Sequence, residues 1–349
     1  CLALMLAAGI IAHHQKLSAL LAAGILLLPA TQYPATTWWS KPDLDREYVL
    51  SLDVEHYFGN IQKMRKHLET DRQILWVTYY RNLYNATHPS EINSPVSLSR
   101  NLLAWNQPGT NGLILPVNPS ASFLSILFAN ELWFTLGDMT MAEHCAMLSM
   151  IFSPRNSGSR MIKRLAEINL VNGDDEAALK YLRILDKTLL HKSWAEKRIP
   201  GQQTPRVKEW LEKKRRDIPT QDHLRSGNDA VTSLRNLVAS NAGNLRAYEY
   251  LLCYHLLSKD LRSFVEDYVP GKVSSSIFAE ALLIHLARQG NIRAEELIKY
   301  QIPVKIAKEF ADYTRLYEAK DTSLKEKYGK TYWFYYHFAT TEPGKESKP

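Results

Sequence analysis

Little in this sequence calls for covalent or metal chemistry. Three cysteines, Cys1, Cys145 and Cys253, are scattered through 349 residues, and none forms a CxxC pair. That excludes a disulfide framework or a cysteine-based zinc site as an organising principle, and leaves the redox compartment unspecified. Cys145 and Cys253 each fall inside an apolar helical pattern, where a free thiol behaves as a small buried hydrophobe. No HExxH, GxxxxGK[ST] or GxSxG occurs, and no glycine fingerprint lies between a strand and a helix. These absences lean against an enzyme, and no cofactor or metal is expected. Glycine and proline, 15 and 16 residues, are too few for extended disorder.

Three short patterns resemble sites and are better read as structure. Glu143-His144-Cys145 carries metal-capable side chains, but neighbours on a helix point about 100° apart and cannot converge on one ion. Cys145 is expected inward and Glu143 in solvent. His13-His14 lies in a short polar connector. Asn85-Ala86-Thr87 matches a glycosylation sequon only formally.

The N-terminal composition differs from the rest. An apolar run ending at Ala12 begins directly at Cys1, without an initiator methionine, and reads as the tail of a longer helix whose upstream sequence is missing. A lipoprotein cysteine would instead need the apolar stretch before Cys1. After His13-His14-Gln15-Lys16 comes an uncharged segment, residues 17–39. As a helix it is roughly 34 Å long, enough for a hydrocarbon core. Trp38 and Trp39, with Tyr33, suit a headgroup belt, while Pro29 and Pro34 favour a kink or an early end. A cleaved signal peptide is disfavoured because a signal begins with its basic region. Lys16 in the short connector tends to stay cytoplasmic, and Lys41 and Arg46 oppose that, offset by Asp43 and Asp45. The expectation is a bacterial inner-membrane protein with a periplasmic helical domain.

From residue 44 onward apolar residues recur at three and four rather than two, and Ala, Leu, Lys and Glu dominate. In residues 160–188, Ile162, Leu165, Ala166 and Leu170 make one helix face. Asn172-Gly173-Asp174 supplies a turn, and Ala177, Ala178, Tyr181, Leu182 and Leu185 line a second helix. Residues 123–154 repeat the layout, with Gly137-Asp138 matching Gly173-Asp174, Ala142 matching Ala178 and Ala146 matching Leu182. The glycines are 36 residues apart, close to the tetratricopeptide (TPR) period of about 34. Looser pairs turn at 258–260 and at Gly290-Asn291, and a degenerate one straddles Gly59-Asn60. The expected fold is all-α: a transmembrane segment, then a TPR-like α-solenoid of degenerate helix pairs. The domains are 1–40 (membrane), 41–200 (helix pairs with an irregular excursion over 86–120), 201–228 (basic linker and helix) and 229–349 (further pairs and a cap).

The blocks RLAEINLVNGDDEAALKYLRILDKT with Trp194-Ala195-Glu196, YEYLLCYHLLSKDLRSFVEDY and TYWFYYHF resemble an uncharacterised membrane-protein family of Bacteroidota. The resemblance implies several N-terminal spans ahead of a helical, TPR-like domain. It brings no activity and no catalytic position.

Net charge is +7, and residues 192–216 alone hold nine Lys or Arg against three Glu, a net of +6. Thr204-Pro205 starts a short helix to about Arg216, with Val207, Trp210 and Leu211 as an apolar stripe. Such a helix suits anionic headgroups or an acidic partner; the plainer expectation is that the stripe packs on the array. Nucleic acid is not expected as a partner. By analogy with TPR arrays, the inner surface takes Arg160, Lys163, Glu167 and Val171 from one unit and Leu124, Leu127, Glu131 and Thr135 from the preceding one. A mixed surface of this kind suits an extended peptide, a partner helix or the protein's own upstream membrane region. Two functions follow: a membrane-anchored interaction scaffold with Glu131, Arg160, Lys163 and Glu167 as its candidate groove, or the soluble appendage of a multi-span enzyme or transporter acting on lipid-linked or cell-envelope material.

Overall fold

In the computed structural model of the chain, the described residues are 43–69, 74–87, 112–118, 120–153, 158–221 and 229–339. The expected membrane segment at 17–39, the run 1–12 and His13-His14 lie outside them. Among the described residues every regular element is a helix, and no helix is long and apolar enough to cross a membrane. The chain divides into two compact units, residues 1–67 and 68–349.

In the first unit, α1 (Leu44–Tyr57) is capped by Asp43, whose side chain accepts from the Arg46 amide at 3.0 Å. The helix buries Val49 and Leu52, and α2 (Ile61–Leu68) buries Met64. Between them Gly59 takes φ +70°, as the Gly59-Asn60 turn requires.

The second unit opens with α3 (Leu75–Thr87), which is buried along most of its length. It is held to α4 (Phe123–Leu136) by Tyr79, whose hydroxyl donates to the Phe128 carbonyl at 2.6 Å and accepts from the Leu132 amide at 3.2 Å. α3 runs to Thr87, so the first two residues of the excursion expected over 86–120 are helical. Residues 112–118 are non-helical, and 88–111 lie outside the described residues.

Two hairpins then follow with the same turn chemistry. α4 ends at Gly137, φ +92°, and Asp138 caps α5 (Met139–Phe152) by accepting from the Met141 amide at 2.8 Å. α6 (Ser159–Asn172) ends at Gly173, φ +82°, and Asp174 caps α7 (Asp175–Asp186) by accepting from the Ala177 amide at 2.9 Å. A left-handed glycine closes one helix and the next aspartate opens another, so two residues reverse the chain. The matched pairs Ala142 and Ala178, and Ala146 and Leu182, are all buried. Each small side chain leaves room for the preceding helix to approach. α4 buries residues around nearly its whole circumference, as expected of a central helix.

Beyond come α8 (Lys192–Glu196), α9 (Pro205–Arg215), α10 (Ala230–Ser240) and α11 (Leu245–Leu257). Pro205 occupies the first turn of α9 as expected, but Thr204 makes no side-chain cap. α11 and α12 (Leu261–Asp267) reuse the hairpin with Lys259 at φ +59° in the glycine place and Asp260 as cap, accepting from the Ser263 amide at 3.0 Å. α13 (Ser276–Arg288) and α14 (Ala294–Lys299) flank Gly290, φ +63°. The chain closes with α15 (Val304–Glu318), α16 (Leu324–Tyr328) and α17 (Tyr332–Phe338). Trp333 is fully buried there and donates from Nε1 to the Glu280 carbonyl at 3.0 Å.

Candidate functional site

The four candidate groove residues lie on α4 and α6; Glu131, Arg160 and Glu167 are brought together by a fifth residue, Arg164, and Lys163 is turned elsewhere. Glu131 accepts from Arg160 Nη2 at 2.8 Å and from Arg164 Nη2 at 2.5 Å. Arg164 also reaches Glu167 at 3.1 Å and donates from Nε to Asn130 Oδ1 at 3.2 Å. Its guanidinium lies 3.9 Å from the centroid of the Phe134 ring. Arg164 is thus held in every direction, and its role in the network is to fix Glu131 and Glu167. Its signal in the sequence is spacing alone: four residues after Arg160 and three before Glu167, neighbours on one helix face.

Lys163 points to a second group. Its ammonium lies 5.2 Å from the centroid of the Trp194 ring, and the Arg198 guanidinium lies 4.1 Å from the same ring. Trp194 is packed on the core of Ala166, Leu182, Leu185 and Ala195 together with Ile162 and Tyr181. An indole fixed in this way is a rigid platform for cations. Burial pushes the Lys163 ammonium below the usual lysine range; the carboxylate of Glu167 opposes this, and Arg164 and Arg198 reinforce it. Burial also lowers Arg198, again opposed by Glu167. Arg198 donates from Nη1 to the Trp194 carbonyl at 3.2 Å, and its buried Nε has no acceptor. Among the described residues no carboxylate is paired with it. His191, on the approach to α8, lies 3.2 Å from Ser159 Oγ, and burial and the charge of Lys163 hold it neutral to lower pH than usual.

The other half of the expected inner surface is closed by α9. Val207 and Leu211 are buried, and Trp210 stacks on Phe134 with ring centroids 6.2 Å apart. The last carbonyls of α4 and α6, which have no partners within their own helices, are taken by basic and amide side chains. Lys214 Nζ donates to the Phe134 carbonyl at 3.3 Å, Arg246 to that of Thr135 at 3.0 Å, and Asn244 to that of Leu136 at 2.7 Å. Arg215 donates to the carbonyls of Leu170 and Val171 at 2.7 and 3.0 Å. Cations at a helix C-terminus also meet the negative end of its dipole. Val171 and Thr135 are consequently buried, and Leu127 packs on Ala146, Met161 and Leu165 rather than lining an open surface. The stripe of α9 faces the protein, and two of its cations serve as helix caps rather than as free surface charge. Burial, with the charges of Arg246 and Arg164, lowers the Lys214 ammonium to about 8, against the pull of Asp217 and Glu167.

Cys145 and Cys253 are buried and in no disulfide, and Glu143 is part-buried rather than fully in solvent. Among the described residues no three histidine, cysteine or carboxylate side chains are placed to hold a metal ion.

A family model described as a family of unknown function (DUF6057) matches residues 2–339. The chain belongs to this family. No curated protein and no solved structure matches it. The match runs through α1 to α17 and so takes in both the Glu131–Arg164–Glu167 network and the Trp194 platform.

Proposed function

We propose that this member of the family is a TPR-like scaffold of a bacterial envelope. In this reading residues 17–39 anchor it in the inner membrane, its helical units lie in the periplasm, and it binds an acidic segment of a protein partner. The observation that carries the binding reading is the Trp194 platform, where Lys163 and Arg198 share one ring and Arg198 is paired with no carboxylate among the described residues. A guanidinium stacked on an indole keeps its edge for a planar carboxylate. The scaffold reading is supported by the hairpins that repeat a left-handed glycine and an aspartate cap at the same spacing.

The test is capture of partners by the full chain from solubilised native membranes, comparing wild type with Lys163→Glu, Arg198→Glu and Glu167→Lys. The first two are expected to lose the partner and the third to keep it. Identical partners in all four samples would refute the platform as the binding surface. Anchoring is tested separately, by retention of the full chain in the membrane pellet after alkaline carbonate washing.

A further inference from the structure

Two leucines stand in solvent where the neighbouring hairpin buries its own. Leu189 and Leu190, in the turn between α7 and α8, are 98% and 86% exposed, the highest values of any large apolar side chain among the described residues. Along α7 both Leu182 and Leu185 are buried, and one more turn of helix would carry Leu189 onto the same face. The helix ends at Asp186 instead.

The turn that follows is fixed by its polar residues. Thr188 Oγ1 donates to the Leu185 carbonyl at 2.7 Å and accepts from the His191 amide at 3.2 Å. The Lys192 amide donates to the Thr188 carbonyl at 3.1 Å, and His191 Nε2 lies 3.2 Å from Ser159 Oγ on α6. Threonine and histidine are thus tied to the protein while the two leucines between them are left outside, the reverse of ordinary burial. Lys187 precedes the pair by two residues and Lys192 follows it by two, and both are exposed. Arg183 is exposed one turn back in α7, beside a half-exposed Ile184. Against these three cations residues 183–192 carry a single carboxylate, Asp186. A protein partner is gripped by a packed apolar patch with pockets of its own. An adjacent leucine pair between lysines suits a fluid, negatively charged surface better: the leucines leave water and the lysines stay with the headgroups.

We propose that Leu189 and Leu190 dip into the surface of an anionic phospholipid bilayer while Lys187 and Lys192 meet its headgroups. This adds a second, reversible contact to the anchor proposed at 17–39, and it rests on that reading only for the nearness of a bilayer. The apolar stripe of α9 cannot make the contact, because Val207 and Leu211 are buried and Trp210 stacks on Phe134.

The test uses the full chain in nanodiscs of phosphatidylcholine alone or in a 2:1 mixture with phosphatidylglycerol. A nitroxide is attached at Leu190→Cys in a Cys1→Ser background, Cys145 and Cys253 being buried. Its collisions with oxygen, which concentrates in the bilayer, are compared with those with a water-soluble nickel chelate. In the anionic discs the nitroxide is expected to meet oxygen and to be shielded from nickel. Adding Leu189→Ser should lower the ratio of immersed to aqueous label about tenfold. Lys187→Glu with Lys192→Glu, or removal of phosphatidylglycerol, should lower it by at least about as much. A nitroxide open to nickel in both kinds of disc, or an equal ratio in both, would overturn the proposal. So would shielding from both reagents, the sign of a protein surface such as a second copy. The anchor is judged apart, by the carbonate wash. A chain that resists the wash with an aqueous label keeps the anchor and loses the turn; a chain that is stripped, yet immerses its label at neutral pH, does the reverse.

Discussion

Lys214→Met tests whether the basic character of α9 is spent on internal capping. The wild-type ammonium is lowered from an ordinary 10.5 to about 8 by burial and by Arg246 and Arg164. A difference of that size corresponds to roughly 3 kcal/mol between the charged and neutral forms. The sign follows from proton counts. Between about pH 8 and 10.5 the unfolded chain holds the proton and the folded chain has released it, so wild-type stability rises with pH across that window. Below pH 8 both states hold the proton, and the full cost of keeping the charge in the fold is present. Methionine keeps the length and the apolar stem without the charge. It leaves the Phe134 carbonyl without its donor, a loss of about 1 kcal/mol. At pH 7 the variant is therefore expected to be more stable than wild type by about 1–2 kcal/mol. That advantage should shrink and then reverse as the pH approaches 10.5. The assay is urea unfolding of the full chain followed by far-ultraviolet circular dichroism, for both proteins at half-unit steps from pH 7 to 10.5. Taking the difference cancels the other lysines and tyrosines. Parallel stability curves would show that Lys214 is solvated, and the capping role would fall.

The remaining predictions concern the α4–α6 network and its turns. Glu131→Gln leaves the guanidinium groups of Arg160 and Arg164, 18% and 11% exposed, without their shared carboxylate. Allowing for that partial exposure, the expected loss is about 2–3 kcal/mol in urea unfolding, and a change under about 0.5 kcal/mol would mean that solvent compensates the pair. Gly173→Ala should cost about 1–2 kcal/mol, the strain of a left-handed alanine with nothing within 4 Å of the new Cβ. Gly137→Ala should cost at least about 3 kcal/mol, because the same Cβ would stand 2.2 Å from the Asp217 carbonyl oxygen; equal thermal shifts for the two alanine variants would contradict the packing at that turn.

The contrast between these two glycines marks what could be read from the chain and what could not. Both turns were legible because their chemistry is local. A glycine at positive φ and an aspartate capping the third residue onward need no other part of the protein. The hairpin at 258–260 shows the limit of that signal, since Lys259 takes the left-handed place without being glycine. Gly137 also has a neighbour that no local pattern announces: Asp217, eighty residues later, whose carbonyl accepts from Asn244 Nδ2 at 2.7 Å. The same holds at the candidate site. Glu131, Arg160, Lys163 and Glu167 were accessible to fold analogy because two adjacent hairpins present them. Arg198, Trp194 and Lys214 were not, because their partners are set by how α8 and α9 lie against α4 and α6. A count of charges cannot separate these roles. Of the nine basic residues in 192–216, Lys214 and Arg215 are bonded to helix-end carbonyls and Arg198 lies on an indole. The local surplus is therefore partly a structural device that ends helices in place of side-chain caps the sequence lacks there. Arg198 is part-buried, fixed on the Trp194 ring and paired with no carboxylate among the described residues. It is there, rather than along the exposed lysines of α9, that the proposed acidic partner is expected to gain most.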